Sequence, residues 1–267
     1  MSSSAGDVSR PVIFRGRGFE PRSRPLVSWV FLIAVLATWQ ASSALGLVGE
    51  LALPSPLRVA RSFYELIETG DLWGHLAASL GRIALGWGLG FSGGLALGLG
   101  MGTFTVARSV GLPLVSALFP IPKIALLPLF ILWFGIGEAS KIATIAFGVF
   151  FPTAVSTYGA VDAVARDLVR MGQAFELSPR AIVRKIIVPG SLPGILSGAR
   201  ISASIALILV VAAEMIGAER GVGALILTAG HLMQTDRLLA GVLVLSFMGL
   251  LVSSLIGRLE TWLLRWR

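Results

Sequence analysis

Long apolar runs alternate with short polar segments along this chain. The first run is LVSWVFLIAVLATWQASSALG, residues 26–46. Others fall at about 77–102, 113–134, 142–160, 196–217 and 238–257. Each lies near the ~20 residues that a helix needs to cross a bilayer core. The pattern predicts an all-α membrane protein with about six transmembrane helices. A tail of residues 1–25, with Arg10, Arg15, Arg17, Arg22 and Arg24, precedes the first run and reads as flexible and cytoplasmic. A cleaved signal peptide is the competing reading of this start, because a basic tail precedes the apolar run and ASSA near its end could be cut. Residues 26–267 then read as one transmembrane domain.

The breaks between runs carry their own signals. After Pro54 and Pro56, RVARSFYELIETG reads as a short amphipathic helix at the outer surface. The third run contains or borders Pro113, Pro120, Pro122 and Pro128. An interior proline leaves the carbonyl four residues earlier without its helical donor, so this span is expected to be broken. GIGEASK then reads as a tight turn, and GAERGVGALILTAGHLMQTDR joins the last two spans. In the second span Gly86, Gly90, Gly94, Gly98 and Gly102 recur at every fourth position. That spacing puts all five on one helix face, a ridge against which another helix can pack closely.

Composition agrees with the pattern: 55% of residues are hydrophobic and 13% charged, against about 25% charged in soluble domains. The basic excess has a topological use. With the N-terminus inside, fifteen Lys and Arg fall in inside segments and five in outside ones, which orients both termini to the cytoplasm. The same bias accounts for the net charge of +8 without nucleic acid. There are no cysteines, and His75 and His231 are far apart, so no metal site is expected. Lys123, Lys141 and Lys185 are each followed by Ile, so no phosphate-binding loop exists and any ATP must be hydrolysed by another chain.

The cytoplasmic insert, about 161–195, is polar and proline-flanked. Residues 163–175 can form one helix; Ser178 reads as an N-cap with Pro179 at the first helical position of a second, PRAIVRKIIV, ending at Pro189. Here the chain resembles the permease subunits of ABC importers. Their cytoplasmic signature is Glu-Ala-Ala, three residues, Gly, nine residues, Ile, one residue, Leu-Pro. Ile186, Val188 and Pro189 match its end; Glu176 takes the Gly position, and Arg170, Met171 and Gly172 take Glu-Ala-Ala. The stretches ILWFGIGE and AEMIGAERGVG, and the terminal LLRWR, resemble the subfamily for aliphatic sulfonates, taurine, nitrate and related small molecules.

The resemblance implies a type I ABC importer permease: two such subunits, here a homodimer, pair in the bilayer. Two cytoplasmic ATPase subunits, using ATP and Mg, dock on the inserts, and an extracytoplasmic binding protein delivers substrate. The chain itself then binds no cofactor and is not an enzyme. A secondary transporter or channel working without an ATPase is the alternative. Lys123, at membrane depth, either draws an anion into the pathway or donates to carbonyls freed by the prolines. Glu214 is expected near the outer end of the fifth span, paired with Arg220 or a neighbour or shaping a gate. Arg82 is expected to snorkel at the outer boundary. Arg170 in place of the signature acid leaves two readings: an acidic ATPase surface opposite it, or Glu176 clamping the two insert helices through Arg180.

Overall fold

A computed structural model gives the fold and describes residues 25–265. The basic tail therefore lies outside the described residues. Among these, every regular element is helical. The order is α1 (Pro25–Ala44), α2 (Pro56–Glu68), α3 (Asp71–Thr103), α4 (Thr105–Leu118), one 3-10 turn (Lys123–Leu126), α5 (Leu127–Phe134) and α6 (Glu138–Asp162). Then come α7 (Arg166–Ala174), α8 (Pro179–Ile182), a π-helical turn (Val183–Ile187), α9 (Val188–Glu214), α10 (Val222–His231) and α11 (Thr235–Leu263).

The glycine ridge of α3 lies on α6. A Cβ added at Gly86 would stand 2.7 Å from the Ile145 Cβ, and one at Gly94 2.8 Å from the Thr153 Cβ. Gly90 meets Val149, Gly98 meets Thr157, and Gly102 meets Val161. The carbonyls of Ala146, Phe150 and Ala154 also crowd Gly90, Gly94 and Gly98, so the two backbones touch. In hydrocarbon, where helices gain nothing from leaving water, such van der Waals contact is the main attraction available. A neighbouring face of α6 receives α9. Gly194 abuts Ala160, and Gly198 abuts Ser156, at 2.6 Å for an added Cβ in each case. α6 is thus the central post, with Ile145, Val149 and Ala154 fully buried.

Five helices are long and apolar enough to cross a membrane, and six crossings result if the bent segment from α4 to α5 is one. The predicted third span is not a single helix: α4 and the 3-10–α5 segment meet at 89°. The prolines explain the break. Pro120 and Pro122 have no N–H to extend α4, and the segment restarts at Lys123. α3 and α11 are longer than predicted, 33 and 29 residues. GIGEASK is only half turn, since α6 begins at Glu138.

The largest correction concerns the insert. Its second helix does not stop at Pro189; helix is continuous over Pro179–Glu214. Pro189 has no N–H for the Lys185 carbonyl, and the chain absorbs the gap in a π turn where Val188 N–H donates to the Val183 carbonyl. Proline at the start of a helical register costs nothing there. The fifth span and the insert's second helix are therefore one rod of 36 residues, about 54 Å long at 1.5 Å per residue.

Gly94→Leu should force α3 and α6 apart and destabilise the protein by about 1–3 kcal/mol, as overpacking does in cores. Thermal unfolding of the purified protein in detergent measures this. Gly88→Leu, whose added side chain starts in open space, should leave the midpoint unchanged.

Candidate functional site

Two polar regions stand at opposite ends of α9. The first gathers around α3. His75, Ser79 and Arg82 follow at intervals of four and three residues, so they share one face of that helix. This face meets the C-terminus of α9 and the loop into α10. Glu214, 1% exposed, ends α9 inside the protein. Its carboxylate accepts from the Ser79 hydroxyl (2.7 Å to Oε1), from Arg82 (NH1 to Oε1, 2.7 Å) and from the Gly223 N–H (2.8 Å to Oε2). Ser79 in turn accepts from the Val222 N–H at 2.9 Å.

Arg82 is the hub. Its Nε and NH2 donate to the two carboxylate oxygens of Glu138 at 2.7 and 2.6 Å, a bidentate fork from α3 to the start of α6. NH1 also donates to the Arg220 carbonyl at 2.7 Å. The Arg82 side chain is 5% exposed. The expectation that it snorkels is therefore corrected. With two carboxylates in reach, burial between them satisfies the guanidinium better than a distant headgroup would. Glu214 likewise pairs with Arg82 and not with the Arg220 side chain. The loop closes over it at Gly221, where φ is 139° and a Cβ would run into the Glu214 carboxylate, so only glycine fits. The Gly221 N–H donates to His75 Nδ1 at 3.0 Å.

Beside this knot opens a cavity of about 470 Å³, lined by Arg82, Glu138, Lys141, Glu219 and Arg220 among others. The sequence pattern puts Lys141 in the GIGEASK turn. Lys141 is 4% exposed, on the first turns of α6, and donates to the Gly137 carbonyl at 3.0 Å.

Lys123 stands elsewhere, in the break after α4. Its ammonium donates to the carbonyls of Leu118, Phe119 and Ile121 at 3.1, 2.6 and 2.6 Å. The Phe119 and Phe151 rings lie 5.7 and 5.3 Å away. The ammonium thus serves three backbone carbonyls at the break; of these only Leu118 has a proline, Pro122, where its helical donor would be, and it also accepts from the Ile121 N–H at 3.3 Å.

The second region is the insert. Ser178 caps α8 by accepting from the Ala181 N–H at 3.3 Å, with Pro179 beside it at the first helical turn. Gly172 is buried where α7 crosses the rod; an added Cβ would stand 2.8 Å from Ile186 Cδ1 and 3.4 Å from Ile182 Cγ1. Glu176 adopts φ 55°, in the left-handed region. Among the described residues it forms no ion pair with Arg180. Arg170 points outward, near Asp167 at 3.6 Å. Val188 and Pro189 lie in the rod itself.

An all-helical bundle with a charged knot at one end and a projecting helix–turn–helix at the other is an importer permease in architecture. Residues 90–266 match the family described as binding-protein-dependent transport system inner membrane component, and the chain belongs to that family. It is similar to a putative aliphatic sulfonates transport permease protein, SsuC, of Bacillus subtilis (39% identical; 87% of this chain and 84% of the relative). It is also similar to the taurine transport system permease protein TauC of Escherichia coli (35% identical; 92% of each chain). In structure it resembles a chain of the MetNI methionine ABC transporter in an inward-facing conformation, at TM-score 0.57 and 22% identity, covering 73% of this chain and 95% of that one. That likeness concerns the fold.

Two outcomes are expected. Glu214→Gln should destabilise the protein by about 3 kcal/mol, because Arg82 stays buried with one charge partner fewer; thermal unfolding reads the loss. Glu176→Gly should raise the unfolding midpoint, since an L-residue in the left-handed region costs about 1 kcal/mol that glycine does not.

Proposed function

We propose that this chain forms the translocation pathway of an ATP-driven importer for a small organosulfonate. In this reading two copies pair, two cytoplasmic ATPase subunits hydrolyse ATP with Mg, and an extracytoplasmic binding protein supplies substrate. Both termini and the insert face the cytoplasm, in line with the charge bias. The substrate class rests on what the relatives' names state.

The observation that carries the ATPase coupling is the exposed face of α7 and its cap. Leu168, Met171 and Phe175 are 46, 51 and 75% exposed. Their spacing of three and four residues sets them on one helix face, and Arg166 and Arg170 flank them. An exposed apolar stripe rimmed with charge marks a protein contact. α7 seats on the rod through Gly172, and the rod runs unbroken to Glu214. A displacement of the docked insert would therefore reach the ionic knot through one stiff helix. Such coupling needs two packings of the bundle, one for each side of access.

Reconstitution in liposomes tests this. Uptake of a small sulfonate should require ATP, the ATPase and the binding protein together. Phe175→Glu should lower ATPase co-purification and uptake by about tenfold or more, as loss of a buried apolar anchor does, without changing the unfolding midpoint. Uptake that proceeds without the ATPase would favour a secondary transporter or channel.

A further inference from the structure

The cavity beside the ionic knot contains charges that the knot does not use. Arg82 is fully engaged: its donors go to Glu138, Glu214 and the Arg220 carbonyl. Both Glu138 oxygens are taken by Arg82, and Glu214 is held from three directions. Lys141 is different. It is buried, yet its ammonium makes one hydrogen bond, to the Gly137 carbonyl, and among the described residues no carboxylate lies within ion-pair distance. A buried ammonium with two unused donors is costly unless something completes its shell. Glu219, on the same cavity, is exposed and forms no ion pair either. It is near enough to act electrostatically on Lys141, together with Arg82, Glu138 and Glu214. So one cavity presents an unpaired cation and an unpaired carboxylate that do not reach each other.

We propose that this cavity holds a small zwitterion, with its acid group on Lys141 and its ammonium group on Glu219. The idea deepens the import reading above and rests on it for the ligand's place in transport. Arg82, Lys141 and Arg220 line the cavity with Glu138 and Glu219, and Glu214, buried outside the lining and paired with Arg82, brings the set to three cations and three carboxylates. A plain anion would leave that balanced set with an excess negative charge, whereas a zwitterion completes both unpaired groups and leaves it neutral. A volume of about 470 Å³ admits an aminoalkyl sulfonate or carboxylate with water, and lies within the ~300–1,000 Å³ usual for small-molecule sites. Lys141 supplies a charge-assisted donor to the acid oxygens, and the exposed Glu219 can follow the ligand's ammonium end.

The test is equilibrium binding to the purified full-length chain in lipid nanodiscs, without binding protein, ATPase or nucleotide. The probes are radiolabelled taurine and β-alanine, with ethanesulfonate and ethylamine as one-charge competitors. Saturable binding of taurine or β-alanine is expected, with each one-charge competitor weaker by about tenfold or more, the worth of one charge-assisted contact. Lys141→Gln and Glu219→Gln should each weaken binding by a similar factor, and Glu219→Gln should also erase the preference for taurine over ethanesulfonate. If Lys141→Gln fails to fold, the exposed Glu219→Gln decides alone. Absence of saturable binding, equal competition by ethanesulfonate, or an unaltered Glu219→Gln overturns the proposal. ATP-dependent uptake is scored separately. Uptake without this binding sinks only the cavity assignment, and binding without uptake sinks the import reading while leaving the site.

Discussion

Backbone contact between α3 and α6 sets the geometry of the rest. Gly86 lies on Ile145, Gly90 on Val149, Gly94 on Thr153, Gly98 on Thr157 and Gly102 on Val161, an offset of 59 residues at every step. A constant offset means that the helices run parallel, in register, for four turns. β-Branched and small residues on α6 fill the grooves that the missing side chains leave. Parallel neighbours require the intervening chain to travel back, and residues 104–137 must make that return. A single straight helix is not available to them, because Pro120 and Pro122 interrupt it. The bend of 89° and the Lys123 bonds to three backbone carbonyls at the break are the local solution.

The same register builds the ionic knot. Continuing the offset one turn toward the N-termini sets Arg82 opposite Lys141, with Glu138 one turn further along α6. Arg82 thus meets the Glu138 carboxylate because the glycines below have brought the backbones together. α9 packs antiparallel on an adjoining face of α6, Gly194 on Ala160 and Gly198 on Ser156, which delivers its C-terminal Glu214 to the same end. One guanidinium then ties three helices. Such a knot is a poor source of net stability, since desolvation offsets much of the attraction, but it is specific: any slip of one helix by a turn leaves a buried charge unpaired.

The parts legible in the sequence are those written as local periodicity. Five glycines at a spacing of four announce a contact face, and Ser178-Pro179 announces a helix start. The hub is less visible because a single charge in an apolar run does not show which partners it meets. Read at helical spacing, His75, Ser79 and Arg82 form a polar stripe within an apolar helix, which no lipid-facing surface would carry. That pattern could have placed Arg82 inside. Lys141 is hidden for a related reason: GIGEASK has turn composition, but Glu138 already begins α6, and although Glu138 and Ala139 are exposed, Ser140 and Lys141 are buried. The rod through Pro189 was hidden because proline ordinarily stops a helix, and only the π turn shows how this one continues.

The insert shows why a signature can lose residues and keep its shape. At the position that takes glycine in the signature, Glu176 has φ 55°, so the backbone still makes the left-handed turn that glycine would make without strain. The turn is set by its surroundings: the Leu177 N–H donates to the Gly172 carbonyl at 3.0 Å, and Ser178 caps the next helix. The third signature position needs a small residue because Ile182 and Ile186 press on it, and Gly172 meets that need better than alanine. The first position has no such constraint. The Arg170 side chain is 77% exposed, and among the described residues its ion pair is with Asp167, itself exposed. Nothing in this fold selects acid over base there, so the sign of that charge is free to follow whatever surface the insert meets.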